Sequence, residues 1–244
     1  MRISHIFHIY NKEMEGFFLS YYAYGVIIFF LILSNHSFWT ILWYNRAETI
    51  AVNLAKYFHN ISFFLIIFIP VLTMKSFAEE RQIGTLQLLM SAPLKESEVV
   101  VGKFASAYTL FLFMVVLTLL NLVPLIQYSE PPPSPLMLFS VYFGFLLLGA
   151  NLIALGILSS VLSRSQVMAS LLCFTILILL WVGAFHSSYL GPLGEQIIAK
   201  ISPIWHFEEF SNGIFDIAHF VYYVLSTAFL LFASTKILKY VKGC

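Results

Sequence analysis

Residues 77–94 read FAEERQIGTLQLLMSAPL. They belong to a charged, helix-forming segment, residues 75–103, that separates two long apolar runs of the chain. A connection that only joined two membrane spans would normally be short, so this length indicates a task outside the membrane. Pro93 lacks a backbone donor and disfavours helix in the residue before it. We therefore expect a helix, a break at residues 91–93, and a second helix from about Lys95.

The composition excludes a soluble globular domain. Hydrophobic residues make up 60% of the chain and charged residues 10%, and the mean hydropathy is +0.88. Soluble proteins carry about 25% charged residues. The 244 residues leave room for about six spans of roughly 20 residues each. A net charge of +1 favours neither nucleic acid nor an acidic partner.

Six apolar runs are long enough to cross a bilayer, and none alternates with the period of two that a barrel strand requires. Backbone groups in lipid must be bonded within the segment, so the runs are expected to be helices. The sequence predicts an all-α membrane protein with six transmembrane helices in a single domain, residues 1–244. Pro124 is expected to bend or end the third helix. The runs are 17–34, 57–74, 102–127, 135–162, 166–186 and 219–238.

The distribution of basic residues predicts that both termini are cytoplasmic, because cytoplasmic loops are enriched in Lys and Arg. With the N-terminus inside, only Arg46, Lys56 and Lys200 lie outside. The acidic residues divide evenly between the two sides. The basic residues then inside are Arg2, Lys12, Lys75, Arg81, Lys95, Lys103, Arg164, Lys236, Lys239 and Lys242.

Two further segments have a membrane-related pattern. Residues 1–15 place apolar side chains at helical spacing, which predicts an amphipathic helix in the membrane interface. This elbow helix would either anchor the chain or also contact a partner. Residues 187–218 mix aromatic and acidic side chains, and we expect short helices at the outer leaflet there.

The helix that begins near residue 77 is expected to carry an apolar face of Ile83, Leu86, Leu89 and Met90. The pair Gly84-Thr85 combines the smallest residue with a hydroxyl. Such a pair allows the backbone of another protein to approach closely.

The order of these residues resembles a motif of ABC-2-type permeases, and within them of the branch associated with gliding motility. The pattern is similar to F-x-E-E-R-x-x-G-T-L-E-x-L-L-x-x-P, followed by an acidic stretch and G-K. One position departs from it, because Gln87 stands where the family often has Glu. The matching residues are Phe77, Glu79, Glu80, Arg81, Gly84, Thr85, Leu86, Leu88, Leu89, Pro93, Glu98, Gly102 and Lys103.

The resemblance implies the membrane subunit of an ATP-driven exporter in a bacterial plasma (inner) membrane. Two permease copies, or this chain and a related permease, would pair in the lipid bilayer, and P-loop ABC ATPase subunits would dock beneath them. Residues 75–103 would be the cytoplasmic coupling segment. Its ATPase-coupling residues would be Glu79, Glu80, Arg81, Gly84, Thr85, Leu86, Gln87 and Pro93.

The chain itself is expected to bind no cofactor, since ATP and Mg²⁺ would be bound by the partner. The sequence has no G-x-x-x-x-G-K-[ST] motif, and Gly102-Lys103 lacks the upstream glycine and the following hydroxyl. Lys103 is then interpreted as an interfacial anchor at the start of the third span. Seven histidines are present, but their spacing matches no zinc motif, so no metal site is predicted.

Polar residues inside the spans suggest a substrate path, since such residues are often functional. The candidates are Thr118 and Asn121 on the third span and Asn151 on the fourth. Hydrogen bonding between helices is the alternative explanation, and the residue pattern favours it.

Two other classes of function remain as alternatives. An intramembrane enzyme would need a motif such as H-E-x-x-H, and the sequence contains none. A secondary transporter that works without an ATPase usually shows internal repeats and ionisable residues near the midplane. No repeat is evident here, and the charges gather at the ends of the spans.

The topology can be tested by cysteine accessibility in intact cells, in a variant without the native cysteines. Cysteines replacing Thr40, Pro131 and Lys200 should react with an impermeant thiol reagent from outside. Cysteines replacing Glu96 and Arg164 should react only after permeabilisation. Labelling of position 96 from outside would overturn both the topology and the coupling segment.

Overall fold

The computed structural model describes residues 3–44, 50–86, 94–128, 133–186 and 191–242. These residues form helices and short connections, with no strand among them. The helices are α1 (Ile3–Phe18), α2 (Tyr21–Tyr44), α3 (Ile50–Thr73), α4 (Ala78–Ile83), α5 (Glu96–Thr118), a 3-10 turn (Leu119–Asn121), α6 (Leu122–Tyr128), α7 (Pro135–Leu162), α8 (Gln166–His186), α9 (Gly191–Ile201), α10 (Pro203–Ser211) and α11 (Ile217–Lys242).

Six helical stretches in this part of the chain are long and apolar enough to cross a membrane. The predicted class, an all-α membrane protein with six spans, is therefore confirmed. Two of the stretches run through short breaks, one including α4 and one including α6. The stretches are Tyr21–Tyr44, Val52–Ile83, Glu96–Gln127, Pro135–Leu162, Gln166–His186 and Ile217–Tyr240.

Helix α7 lies at the centre of the bundle and contacts α3, α5, α8, α10 and α11. Three of its glycines make this possible, because a Cβ atom at each would overlap a neighbouring side chain. Gly149 faces the ring of Phe111 on α5, and Gly156 faces Thr73 at the end of α3. Gly144 faces Phe210 on α10. The absence of side chains at these three positions therefore lets α7 pack closely against its neighbours.

The third span is interrupted close to Pro124, as predicted. Regular α-helix ends at Thr118, a 3-10 turn covers Leu119–Asn121, and α6 carries Pro124 in its first turn. Proline has no N–H to donate to the carbonyl four residues earlier, which belongs to Leu120. The interruption therefore falls where that hydrogen bond is missing.

Helix α1 covers the range predicted for the elbow and packs mainly against α5, with fewer contacts to α2. The crossing point is Gly102, where an added Cβ atom would come within 2.8 Å of Ile9 Cγ2 and 3.3 Å of the Ile6 carbonyl oxygen. A glycine at this position lets the two backbones approach. The approach brings the end of α1 next to Lys103.

The segment between α8 and α11 contains α9 and α10. Helix α10 packs against α3, α7, α8 and α11. Its Ile204, Phe207 and Phe210 are buried. The aromatic residues of this segment therefore close one end of the bundle around α7.

The packing of α7 gives a stability prediction. Gly149→Ala should lower the stability of the detergent-solubilised protein by about 1–3 kcal/mol, since the new methyl group has no room beside Phe111. Adding Phe111→Leu should restore part of the loss. Gly25→Ala on α2 is the control, because nothing lies within 4 Å of its added Cβ. Equal thermal unfolding midpoints for Gly149→Ala and Gly25→Ala would contradict the packing described.

Candidate functional site

The short helix α4 starts against the end of α7. The backbone N–H groups of Phe77 and Ala78 donate to Ser160 Oγ at 3.0 and 3.1 Å. The Ser160 hydroxyl in turn donates to the Met74 carbonyl at 3.3 Å. The first N–H groups of a helix have no partner in their own helix, so an oxygen placed there fixes the helix start. Here that oxygen comes from a residue more than eighty positions away in the chain.

Arg81 makes the reciprocal contact from α4 to α7. Its Nη1 donates to the carbonyl oxygens of Val161 and Ser163, both at 3.4 Å. The last carbonyls of a helix also lack partners in their own helix, and a cation there opposes the negative end of the helix dipole. Ser160 of α7 thus accepts from the N-terminus of α4, and Arg81 in the last turn of α4 donates to the C-terminus of α7. We call these contacts of Ser160 and Arg81 the α4–α7 clasp.

Gln82 extends the attachment to α8. Its Oε1 accepts from the backbone N–H of Gln166, the first residue of α8, at 3.4 Å. Helix α4 therefore spans the turn between two membrane-crossing helices. A displacement of α4 would act on both of them.

On its other side α4 is held by charged side chains around the buried Lys103. Lys103 Nζ lies 2.7 Å from Glu13 Oε1 on α1 and 3.0 Å from Glu80 Oε1 on α4. Lys12 Nζ is 3.8 Å from the same Glu80 oxygen. We call these four residues the Lys103 cluster. They connect α1, α4 and the beginning of α5 in one group.

The interpretation of Lys103 as an interfacial anchor was wrong. Its side chain is only 2% exposed, and its ammonium group lies over the buried ring of Phe77 at 5.1 Å. A lysine removed from water needs opposite charges close by, which Glu13 and Glu80 provide. The sequence alone could not show this, because Glu13 lies ninety residues away in the chain.

A second polar contact joins α1 to α5. His5 Nδ1 lies 3.2 Å from Glu98 Oε2, and Glu98 is buried. The same oxygen accepts from the Lys95 backbone N–H at 3.3 Å, at the start of α5. Helix α1 is therefore fastened to α5 near both of its ends.

Helix α4 ends earlier than the sequence analysis expected. Gly84 has a φ of 83° and caps the helix, and Gly84 and Thr85 form a turn. The left-handed region suits glycine, which commonly ends helices in this way. Ile83 is consequently 66% exposed while Leu86 is buried, so these two residues share no apolar face. Leu89, Met90, Gln87 and Pro93 lie outside the described residues.

The turn after α4 faces open space. No atom lies within 4 Å of a Cβ added to Gly84, and residues 82–85 are exposed. By contrast, Glu80 and Arg81 point into the Lys103 cluster and the α4–α7 clasp. The predicted coupling residues thus divide into an inward pair and an outward group that includes Gly84 and Thr85.

The three candidates for a substrate path are separated into two places. Asn121 Nδ2 donates to the hydroxyl of Tyr57 on α3 at 3.3 Å, and the Thr118 hydroxyl donates to the Val115 carbonyl of its own helix at 2.6 Å. Asn151 donates to Ser226 on α11 at 2.6 Å. Each side chain thus has a hydrogen-bond partner within the bundle.

At the far end of the bundle, two of the histidines meet. His206 Nδ1 on α10 lies 2.6 Å from His219 Nδ1 on α11, and the ring of His206 stacks on Tyr222. Burial lowers the pKa of His206 below its ordinary value. No group of three or more metal-ligating side chains occurs within the described residues. The pair connects α10 to α11.

The sequence analysis did not single out Ser160 or Glu13. The available signal for Ser160 was a group of hydroxyl residues around Arg164, at the charged end of the fourth run. Hydroxyl groups at such a position are able to cap the helix of a neighbouring loop. No comparable signal existed for Glu13, which looked like one more polar residue of an amphipathic helix.

The chain matches the family described as ABC-2 family transporter protein over residues 12–234. A curated relative, the "Probable multidrug ABC transporter permease YbhR" of Escherichia coli strain K12, is 28% identical over 152 residues. The alignment covers 60% of this chain and 39% of the relative. The protein of the same name from Escherichia coli O157:H7 matches to the same extent.

The family match begins within α1 and ends within α11. The matched region of this chain covers less than half the length of the curated relatives. The family match, in contrast, covers residues 12–234 of this chain. The chain therefore belongs to the ABC-2 family of transporter proteins.

Proposed function

We propose that this chain is the transmembrane permease subunit of an ATP-driven exporter and that a separate P-loop ATPase docks at the exposed turn after α4. Membership of the ABC-2 family and the similarity to a probable multidrug permease support a transport role. This sequence contains no Walker motif, so the proposal assigns ATP binding to a separate subunit. The α4–α7 clasp is the observation that carries the coupling role.

The clasp gives a physical route for coupling. Helix α4 is too short to contribute much to the bundle by burial, yet both of its flanks are bonded to longer helices. A push on its exposed end would act on α7 through Ser160 and Arg81, and on α1 and α5 through Glu80. The central position of α7 would then pass the displacement to the other spans.

The predicted coupling residues acquire two different roles in this proposal. Gly84 and Thr85 would contact the ATPase directly, together with Glu79 on the adjoining helix. Glu80 and Arg81 would act indirectly, by holding α4 to the rest of the subunit. This division explains why residues of opposite charge stand side by side in the motif, since each faces a different neighbour.

The direct contact is tested by two substitutions of Gly84 that separate backbone strain from bulk. Asn tolerates the left-handed conformation and is small, whereas Trp is large. Gly84→Trp should weaken capture of the partner ATPase by about tenfold or more and abolish transport, with normal insertion. Gly84→Asn should retain both activities. If Gly84→Trp leaves ATPase capture, hydrolysis and transport unchanged, the turn is not the docking site.

The clasp is tested by Ser160→Ala, which leaves the N–H groups of Phe77 and Ala78 without an acceptor. We expect the attachment of α4 to weaken by about 1–3 kcal/mol. The ATPase should still bind, but its hydrolysis should no longer drive transport efficiently. The measurement is transport per ATP hydrolysed in proteoliposomes.

Ser159→Ala is the matched control for the clasp. Ser159 is also buried, but its hydroxyl donates at 3.0 Å to Leu155 within the same helix. Its loss should leave the transport ratio unchanged. Equal ratios for the two variants would show that the clasp carries no coupling.

A further inference from the structure

A polar pocket lies beside the Lys103 cluster at the end of the bundle. Its volume is about 430 Å³, within the range of small-ligand sites. Helices α1 and α4 form its walls, together with the ends of α2 and α3. We call it the headgroup pocket. Its lining residues are Lys12, Glu13, Gly16, Phe17, Ser20, Tyr22, Lys75, Ser76, Glu79, Glu80, Ile83, Thr85 and Lys103.

The pocket lies at the level where membrane spans begin and end. Tyr22 is in the first turn of α2, Lys75 follows the last residue of α3, and Lys103 lies in the first turns of α5. The connection from α1 to α2 beside it is apolar and exposed. Leu19 is 84% exposed and Tyr21 is 95% exposed. An amphiphile in the pocket would therefore have a polar recess for its head and an apolar surface for its chains.

The pocket offers charges of both signs. Lys75 lies over the ring of Tyr22 with its ammonium 4.2 Å from the ring centroid, and Lys12 is largely exposed. Both are placed to meet an anion at the mouth of the pocket. Glu79 and Glu80 also line the pocket, and Lys12 Nζ lies 3.8 Å from Glu80 Oε1. The lining carries three lysines and three glutamates, so the matching ligand carries no net charge of its own.

One carboxylate oxygen of this pocket lacks a hydrogen bond. Glu80 Oε1 faces Lys103 and Lys12, but Oε2 is buried without a partner among the described residues. A buried charged oxygen without a donor is costly. Glu80 lines the pocket and the terminal torsion of a glutamate is broad, so rotation of its carboxylate can offer an oxygen to a ligand there.

We infer that the headgroup pocket binds a phospholipid with a phosphoethanolamine headgroup. The phosphate meets Lys12 and Lys75, and the primary ammonium donates to Glu80 Oε2 and Glu79. A choline headgroup has the same charges but no N–H to donate. An anionic glycerol headgroup has no cation to offer to the glutamates. Glu79 and Thr85 border both this pocket and the proposed docking turn, but lipid binding itself needs no ATPase and is measured in its absence.

The test uses the full chain in vesicles of equal parts phosphatidylethanolamine, phosphatidylcholine and phosphatidylglycerol with identical acyl chains. The protein is extracted in mild detergent, and the retained lipids are measured by mass spectrometry. We expect phosphatidylethanolamine to be retained about tenfold over phosphatidylcholine, the ratio that one charge-assisted hydrogen bond provides. Equal retention of the two lipids would overturn the proposal.

Two variants locate the site. Glu80→Gln and Lys75→Gln should each bring the retained lipids back to the composition of the vesicle. Lys75→Gln leaves the ion pairs of Lys103 intact. It therefore still tests whether the lipid binds in this pocket if Glu80→Gln folds poorly. Glu195→Gln, at an exposed carboxylate on α9, is the control and should retain the preference. If Lys75→Gln also retains it, the lipid binds elsewhere and the assignment to this pocket fails.

A final arm distinguishes a lipid from a soluble ligand of the same chemistry. O-phosphoethanolamine has the headgroup without the acyl chains. Added at the concentration of the lipid, it should not displace phosphatidylethanolamine, because it lacks contact with Leu19 and Tyr21. Displacement at equal concentration would show that the pocket takes a water-soluble molecule and would refute the lipid assignment.

Discussion

The backbone groups at the end of α7 have no partners in their own helix, and this constraint organises the charged end of the molecule. Carbonyl groups left without donors near an apolar medium are costly. Arg81 supplies donors to two of them, while Ser160 supplies the acceptor that the start of α4 requires. Unpaired N–H groups at the start of α4 and unpaired carbonyl groups at the end of α7 thus obtain hydrogen-bond partners from the other helix. The position of α4, and with it the turn at Gly84, follows from this exchange.

The buried ammonium group of Lys103 holds the opposite side of α4 through its ion pair with Glu80. Removing Lys103 from water is offset only by carboxylates at close range, and a buried ion pair is in general weak support for stability. Its effect here is one of position, since Glu13 and Glu80 meet Lys103 only when α1 and α4 occupy their observed places. The arrangement defines how three helices sit relative to each other.

Local features of the sequence were enough to predict the spans and the interruption near Pro124. Length, hydropathy and the missing N–H of proline all act within a short stretch of chain. The early end of α4 could also have been predicted from the local sequence, because glycine after a short polar helix is a common cap. The apolar pattern up to Met90 instead suggested a longer helix. The contacts of Lys103 with Glu13 and of Ser160 with Ala78 could not be predicted from one sequence, because they join residues that lie 90 and 82 positions apart. The motif thus indicated the position of the candidate site in the chain, but not the direction in which its side chains point.

The glycines of α7 restrict how this helix can move. Phe111 packs against Gly149 and Thr73 packs against Gly156, on nearly the same side of α7. Phe210 packs against Gly144 on a different side. Rotation of α7 about its own axis, or sliding by one residue, would drive these side chains into its backbone. Packed protein interiors do not yield to such overlap. A displacement of α7 therefore meets less resistance when α7 tilts together with the Phe111, Thr73 and Phe210 side chains than when it rotates or slides past them.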